Sequence, residues 1–525
     1  MKKMFVALAA ALSLTAFSAT WERAGAIQVT DTTGLTVAVA KIGEMTGNQM
    51  LGAMAASYIS QLPTSEFFGP TRQGGSIVFP FYVDAEAFAK AGAGDEEAFD
   101  DLDDHGFEFA IIYPMALPKE EFMNLHEGAV ETNGFVRVKG LPFDVSDDDF
   151  TFVAFAEGGK WAVASDKPEQ VTIAMKDLAS LVSPMDGDIV RVSLTTKGAD
   201  ALRQVVDVAA KKVAEDSDTK LDAATIEYIK SFASAGVALR VADAGIDVHG
   251  SFTAVPGSLL AKMGASTLGG EPLARAGEGD IMAFESTFMK FDVPGQWKMI
   301  EDILKKHKID TSSFLKWEFG DFSRLTIDLP AAFAWGKAAE TNGLAEVDSD
   351  ALAEDIKNAI DGINIKYEPA DREYGFGLAF AGYKPKYAPR QRFASVLPEV
   401  NGKPLVCAGA YSVAGVVQAI LPPVMATLDE ETRASAAPMV ALLPTECAGG
   451  IAYANWREGE NGTGFLWRIS ADEVKGIGVS VGTIAMASMM GSGAVSFGGD
   501  DDDDDGDDDD DGDDDDGDDG SSDED

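Results

Sequence analysis

Gly236–Val255, GVALRVADAGIDVHGSFTAV, decides how the chain is read. Val237, Leu239 and Val241 alternate with Ala238 and Arg240, and after an Asp-Ala-Gly turn Ile246, Val248 and Phe252 take up the same alternation. Successive side chains on a strand point to opposite faces, so a period of two predicts an antiparallel hairpin with an apolar side and a polar side. The expectation is that the apolar side is buried. His249, which shares the polar side with Asp247, is then expected to face solvent.

Working outward, the hairpin closes a longer unit. Gly187–Leu194 is strand-like, with Ile189, Val190, Val192 and Leu194 apolar. Leu202, Val205, Val206, Ala209 and Val213 follow at spacings of three and four, the mark of one helix face, and Ile226, Ile229 and Phe232 mark a second helical run. The same order recurs over residues 402–470: KPLVCAGA as strand, helices near 412–427 and 430–443, then GGIAYANWREGENGTGFLWRIS as hairpin. Aligning Gly187 with Gly402 and Ala235 with Ala448 predicts that Val192 and Ser234, which stand where Cys407 and Cys447 do, are neighbours. Fragments of the unit also occur at Gly34–Ile42, read as a strand, and at Phe150–Asp166, read as a hairpin about Gly158 and Gly159. A helix follows that hairpin, with Val171, Met175, Leu178 and Val182 apolar and with Asp166 and Glu169 as a capping box. Gly279–Met282 repeats the opening of the unit, and the helix MIEDILKKH comes after it.

Helices alternating with antiparallel hairpins imply an α+β fold, with helices on one face of each sheet. The expected division is a signal peptide over 1–26, an N-terminal lobe over 27–270, a C-terminal lobe over 279–497, and a disordered Asp-rich tail over 498–525. The Gly- and Ala-rich segment Pro256–Gly279 lies at the lobe boundary.

Lys2 and Lys3 followed by the uncharged Met4–Phe17 have a signal's anatomy, too short to span a bilayer. Cleavage patterns stand at Ala16-Phe17-Ser18 and Ala24-Gly25-Ala26. The second would start the mature chain at IQVTDTTG, close to the first strand-like run. The protein is expected outside the cytoplasm, in the periplasm or beyond, without an integral span in the mature chain. In such a compartment the two cysteines, Cys407 and Cys447, are expected to form a disulfide, worth about 4 kcal/mol in the simple chain model.

The chain has 87 acidic and 42 basic residues and a formal charge of −45, a field that repels nucleic acid. Asp500–Asp525 holds 19 Asp, one Glu and no Lys or Arg, and without it the body still carries −25. A segment with no apolar residues cannot fold by burial. The tail is expected to solvate the protein, with weak, diffuse calcium binding or contact with basic surfaces as its other roles. A calcium loop fails there, because one starting at Asp501 puts Gly512 where a bidentate glutamate belongs.

Few motifs carry chemistry. Gly478-Val479-Ser480-Val481-Gly482 matches a nucleophile elbow, yet His105, His126, His249 and His307 all precede it, and the elbow's histidine should follow the serine. A final strand is the plainer reading. Single histidines at such spacings make no local zinc site, and no phosphate-binding Gly-Lys loop has its upstream glycine. The uncharged run Gly476–Phe497 is too rich in Gly and Ser to be a strong membrane span. An acidic cluster ahead of His105, with Asp100, Asp101, Asp103 and Asp104 as candidate metal ligands, is a solvated loop or a weak calcium loop. The expectation is a protein with no catalytic residues and no bound cofactor, acting by binding a ligand or protein partner or as a structural protein. The alternatives are an exported hydrolase using dispersed carboxylates, or a calcium- or mineral-associated surface protein acting through the tail.

Overall fold

The computed structural model describes residues 21–47, 49–61, 67–102, 106–140, 150–216, 223–290, 293–341, 349–361, 366–367, 373–441, 443 and 448–479. It is an α+β protein, and most of its strands join one sheet. In chain order these are β1 (Trp21–Thr30), β2 (Ser76–Asp84), β3 (Phe107–Phe109), β4 (Ile111–Pro114), β5 (Val130–Thr132), β6 (Phe135–Lys139), β7 (Phe150–Phe155), β8 (Trp161–Ser165), β9 (Asp188–Leu194) and β10 (Phe232–Ala242). There follow β11 (Gly245–Ala254), β12 (Asp280–Ser286), β13 (Met289–Lys290), β14 (Leu315–Glu318), β15 (Phe322–Ile327), β16 (Lys366–Tyr367), β17 (Tyr374–Phe380), β18 (Leu405–Tyr411), β19 (Ile451–Glu458) and β20 (Gly462–Ser470).

Hydrogen-bonded neighbours run β5, β6, β7, β8, β4, β2, β1, β9, β10, β11, β20, β19, β18, β12, β17, β15, β14. β3 also pairs with β2, and β13 pairs with β16 apart from the rest. Every pairing is antiparallel except β15 with β17. No pairing among the described residues joins β5 to β14, so these ladders form one continuous series from one to the other.

Two stretches of the ladder, called copies here for their like order of elements, run in the same sequence. β9, two helices, β10 and β11 in one half match β18, two helices, β19 and β20 in the other. Leu194 opposes Ala235 as Tyr411 opposes Ile451, and the β10–β11 and β19–β20 hairpins reopen at Gly245 and Gly462. Leu194 thus corresponds to Tyr411 and Gly245 to Gly462. The two copies meet edge to edge, with Gly245 opposite Ser470 and Thr253 opposite Gly462. His249 therefore lies opposite Leu466, its own counterpart, and a local two-fold passes between them.

This register corrects the expected alignment. Val192 opposes Val237, not Ser234, which lies three residues further along β10. At about 3.3 Å per residue that is roughly 10 Å away. The alignment on Gly187 and Ala235 slipped because low identity leaves the backbone bulges and turn lengths that set register unseen. Pro256–Gly279, the expected lobe boundary, is an ordered segment. It holds helix Leu259–Met263, and Leu273 is fully buried beneath helix Pro389–Val396 in the core of the second copy.

Other differences are local. Gly34–Ile42 is helical, within helix Thr32–Met45, because Asp31 caps it by accepting from the Gly34 N–H and the chain must turn back after β1. That helix packs on helix Gln49–Gln61 through Gly43 and Gly52, where a Cβ on Gly52 would lie 2.7 Å from the Gly43 Cα. The capping box at Asp166 does not form: helix Pro168–Leu181 starts at its proline with Lys167 as N-cap. The expected final strand at the elbow is helical at 471–479, and the rest of that motif lies outside the described residues. Glu473, fully buried, anchors this helix by accepting from Ser412 Oγ at 3.0 Å and Ala414 N at 3.2 Å, at the start of helix Val413–Thr427. β1 begins at Trp21, and Trp21–Ala26 is already laddered to β2. Among the described residues no helix is long and apolar enough to cross a membrane.

Candidate functional site

Residues directly opposite in an antiparallel ladder share a face, so the register sorts side chains into two sides of the sheet. One row runs Ile77, Val29, Val190, Leu239, Val248, Trp467, Tyr453, Gly409, Phe284, Phe376 across β2, β1, β9, β10, β11, β20, β19, β18, β12 and β17. A parallel row carries Ile27, Val192, Val237, Gly250 and Phe465. Aromatic rings continue the surface: Tyr453 and Trp467 lie 5.5 Å apart, centroid to centroid. A Cβ on Gly409 would fall 2.2 Å from the Tyr453 ring, so only glycine lets that ring lie down on the strand.

The central part of this apolar side is open. Val192, Val237, Leu239 and Val248 are exposed, and Trp467 is 56% exposed. The five form a contiguous group across β9, β10, β11 and β20, because Val192 pairs with Val237, Leu239 with Val248, and Val248 with Trp467. A contiguous apolar patch on a folded surface marks an interaction site more often than single exposed residues do. Met50, Met54 and Tyr58, four residues apart on helix Gln49–Gln61, are a second exposed apolar stripe.

The other side is polar and largely closed, which reverses the expected sidedness of the hairpin. Asp247 is only 3% exposed and is held by Arg468 across the seam through Nε at 2.6 Å and Nη2 at 2.8 Å. His249 is half-buried, its Nε2 3.0 Å from Asp188 Oδ1. Asp188 also accepts from Arg191 Nε at 2.5 Å and Arg240 Nε at 2.8 Å. Burial alone would push its pKa up, but the bonds from Arg191, His249 and Arg240 together hold the carboxyl below its ordinary value. Asp280 with Arg324, and Glu285 with Arg275, repeat the pattern of a buried carboxylate held by arginine. At the positions matching Asp188, Arg240 and His249 the second copy has Leu405, Trp456 and Leu466, packed under helix Pro389–Val396.

Asp100 ends the short helix Glu96–Asp100 and pairs with Lys212, Asp101 is exposed, and Asp103 and Asp104 lie outside the described residues. Among the described residues no three of His, Cys, Asp and Glu group in a metal-holding arrangement. Cys407 is a buried thiol, pushed up to about 12 by desolvation, and Cys447 lies outside the described residues. Glu108, beside Lys167, is pushed up by burial. The exposed apolar group was written in the sequence as the alternating side of two hairpins, but nothing there said that this side stays uncovered.

Comparison with family models, with curated proteins and with solved structures finds no match.

Proposed function

We propose that the chain is an exported, non-catalytic binding protein whose contact surface is the open apolar side of the sheet at the seam between its two copies. One observation carries the reading. Val192, Val237, Leu239, Val248 and Trp467 stay exposed as one group while carboxylates on the reverse side are buried and paired. Leaving apolar side chains in water forgoes about 25 cal/mol for each Å² that could be buried, so a partner that covers them gains that stabilisation. No cofactor is needed for this role, and the net charge of −45 disfavours anionic partners. Export follows from the leader, and of the two cleavage patterns the one ending at Ser18 leaves β1 whole, whereas cutting after Ala26 removes Trp21–Ala26 from its ladder with β2.

Protein collected from the exported fraction tests the reading in one preparation. Its N-terminal sequence should begin at Ala19, and it should bind an apolar fluorescent dye that quenches Trp467. The pair Val248→Asp and Trp467→Asp should cut dye affinity at least about tenfold, a loss of about 1.4 kcal/mol, with the unfolding midpoint retained because both side chains are exposed. Unchanged dye binding in that double variant would remove the apolar side as the binding surface. An intact Met1 would remove the export.

A further inference from the structure

Helix Gln49–Gln61 has no charged residue, and the chain around it has none from Met45 to Ser65. Met50, Met54 and Tyr58 on this helix are each at least 67% exposed, and their spacing of four puts them on one face. The helix already packs elsewhere, where Gly52 meets Gly43 of helix Thr32–Met45. In a chain of charge −45, a surface helix without charge and with a row of large apolar side chains in water has the marks of a contact face.

The place where the described residues end bears on what covers it. Residues 471–479 are helical, and Glu473 fixes their start at helix Val413–Thr427. At the other end Gly478 lies against Thr46: a Cβ on Gly478 would fall 3.0 Å from the Thr46 Cβ and 3.4 Å from its Cα. Thr46 is the C-cap of helix Thr32–Met45, and Met50 comes four residues after it. The described residues thus end at Val479, beside the start of helix Gln49–Gln61.

The stretch that follows has the matching composition. Ser480–Phe497, SVGTIAMASMMGSGAVSF, contains Ile484, Met486, Met489, Met490, Val495 and Phe497 and no charge, and the aspartates begin only at Asp500. It is also long enough. Helix Gln49–Gln61 has 13 residues, about 20 Å at 1.5 Å per residue, while the 18 residues of Ser480–Phe497 reach about 27 Å as a helix and about 60 Å extended. Methionine side chains are unbranched and adaptable, which suits a contact of Met against Met.

Charge separates this occupant from the others. Two copies of the chain, each at −45, repel one another, and an anionic lipid surface repels either. A segment joined to the chain beside the stripe meets it as an intramolecular event, at an effective concentration that a separate molecule does not reach.

We propose that the uncharged run Ser480–Phe497 packs along the Met50, Met54 and Tyr58 face of helix Gln49–Gln61, and so holds the start of the Asp-rich tail to the body at this helix. The contact does not involve the sheet side proposed above as the binding surface.

Methyl-labelled methionine spectra test it, with the Met50 and Met54 signals assigned by Met50→Leu and Met54→Leu. Both signals should keep their full-length positions in a chain ending at Phe497 and shift in a chain ending at Val479. Shortening the chain also removes the neighbour of Val479, so a full-length Ile484→Asp, Met489→Asp variant supplies a second arm. It should give the same shifts as the chain ending at Val479, while the buried Met263 methyl stays in place as the sign of an intact fold. Reciprocally, Met54→Asp in the full-length chain should move the Met486, Met489 and Met490 methyls. Met50 and Met54 signals that keep their full-length positions in the Ile484→Asp, Met489→Asp variant would overturn the contact. Signals that move with protein concentration instead would assign the face to a second copy, and signals that move only on adding phosphatidylcholine vesicles would assign it to a lipid surface; either result also overturns it.

Discussion

At Asp188 one buried carboxylate serves three donors, from Arg191, Arg240 and His249. Replacing it with Asn leaves Arg240 without its carboxylate partner and Arg191 with only the exposed Asp186, 3.9 Å away. Removing one partner of a buried pair costs about 3–5 kcal/mol, and here about 2–3 kcal/mol, since the cations are themselves roughly a third exposed. The pH dependence has a definite sign. The folded carboxyl has a pKa below its ordinary value of 3.8, so the unfolded chain binds more protons between the two values. Its stabilisation is therefore complete above the unfolded pKa and is lost as pH falls through the folded one. Urea unfolding midpoints of Asp188→Asn and the unaltered protein should differ most from pH 7 down to pH 5 and converge below about pH 3.8. A gap as wide at pH 3 as at pH 5 would mean that Asp188 does not act through its charge. The sequence offered this cluster only as scattered residues on three strands, and His249 was misplaced because alternation alone puts a polar side in water.

At the scale of elements, β11 and β20 hold the two copies together, and Arg468 with Asp247 is a buried ion pair across that ladder. Both side chains are nearly closed to water. Arg468→Ala should destabilise the fold by about 3–5 kcal/mol by leaving a buried carboxylate alone, while Arg468→Met with Asp247→Leu should recover most of the loss. Chemical denaturation of the three proteins decides it; a single variant within about 1 kcal/mol of the unaltered protein would show that the pair does not secure the seam. The hairpins, the β9 and β18 strands and the helices between them were legible because period two and period 3.6 survive even when identity does not. Helix Thr32–Met45 was not, since its apolar residues alternate like a strand's and only the Asp31 cap and the close approach of Gly43 to Gly52 make it a helix.

For the whole molecule, charge is the governing quantity. The body carries −25 and Asp500–Asp525 adds twenty more negative charges, outside the described residues. Deleting that segment removes no apolar surface from the core, so the melting temperature should move by less than about 2 °C while solubility falls. Calorimetry on full-length and shortened chains, with and without millimolar calcium, checks this. A stoichiometric calcium site that disappears on deletion together with a large fall in melting temperature would overturn it.

The sequence by itself determined the α+β class and the charge balance, because each is a local or compositional property. Residues such as Val237, Leu239 and Val248 also announced that the hairpin has two unlike sides. Which side is covered was decided only by the tertiary structure. Arg468 and Asp247 come from strands more than two hundred residues apart, and helix Pro389–Val396 packs on one side alone. A carboxylate can be buried when an arginine from a distant strand meets it, and an apolar side stays open only over the stretch that the helices leave uncovered. Neither condition is written in the periodicity of either strand.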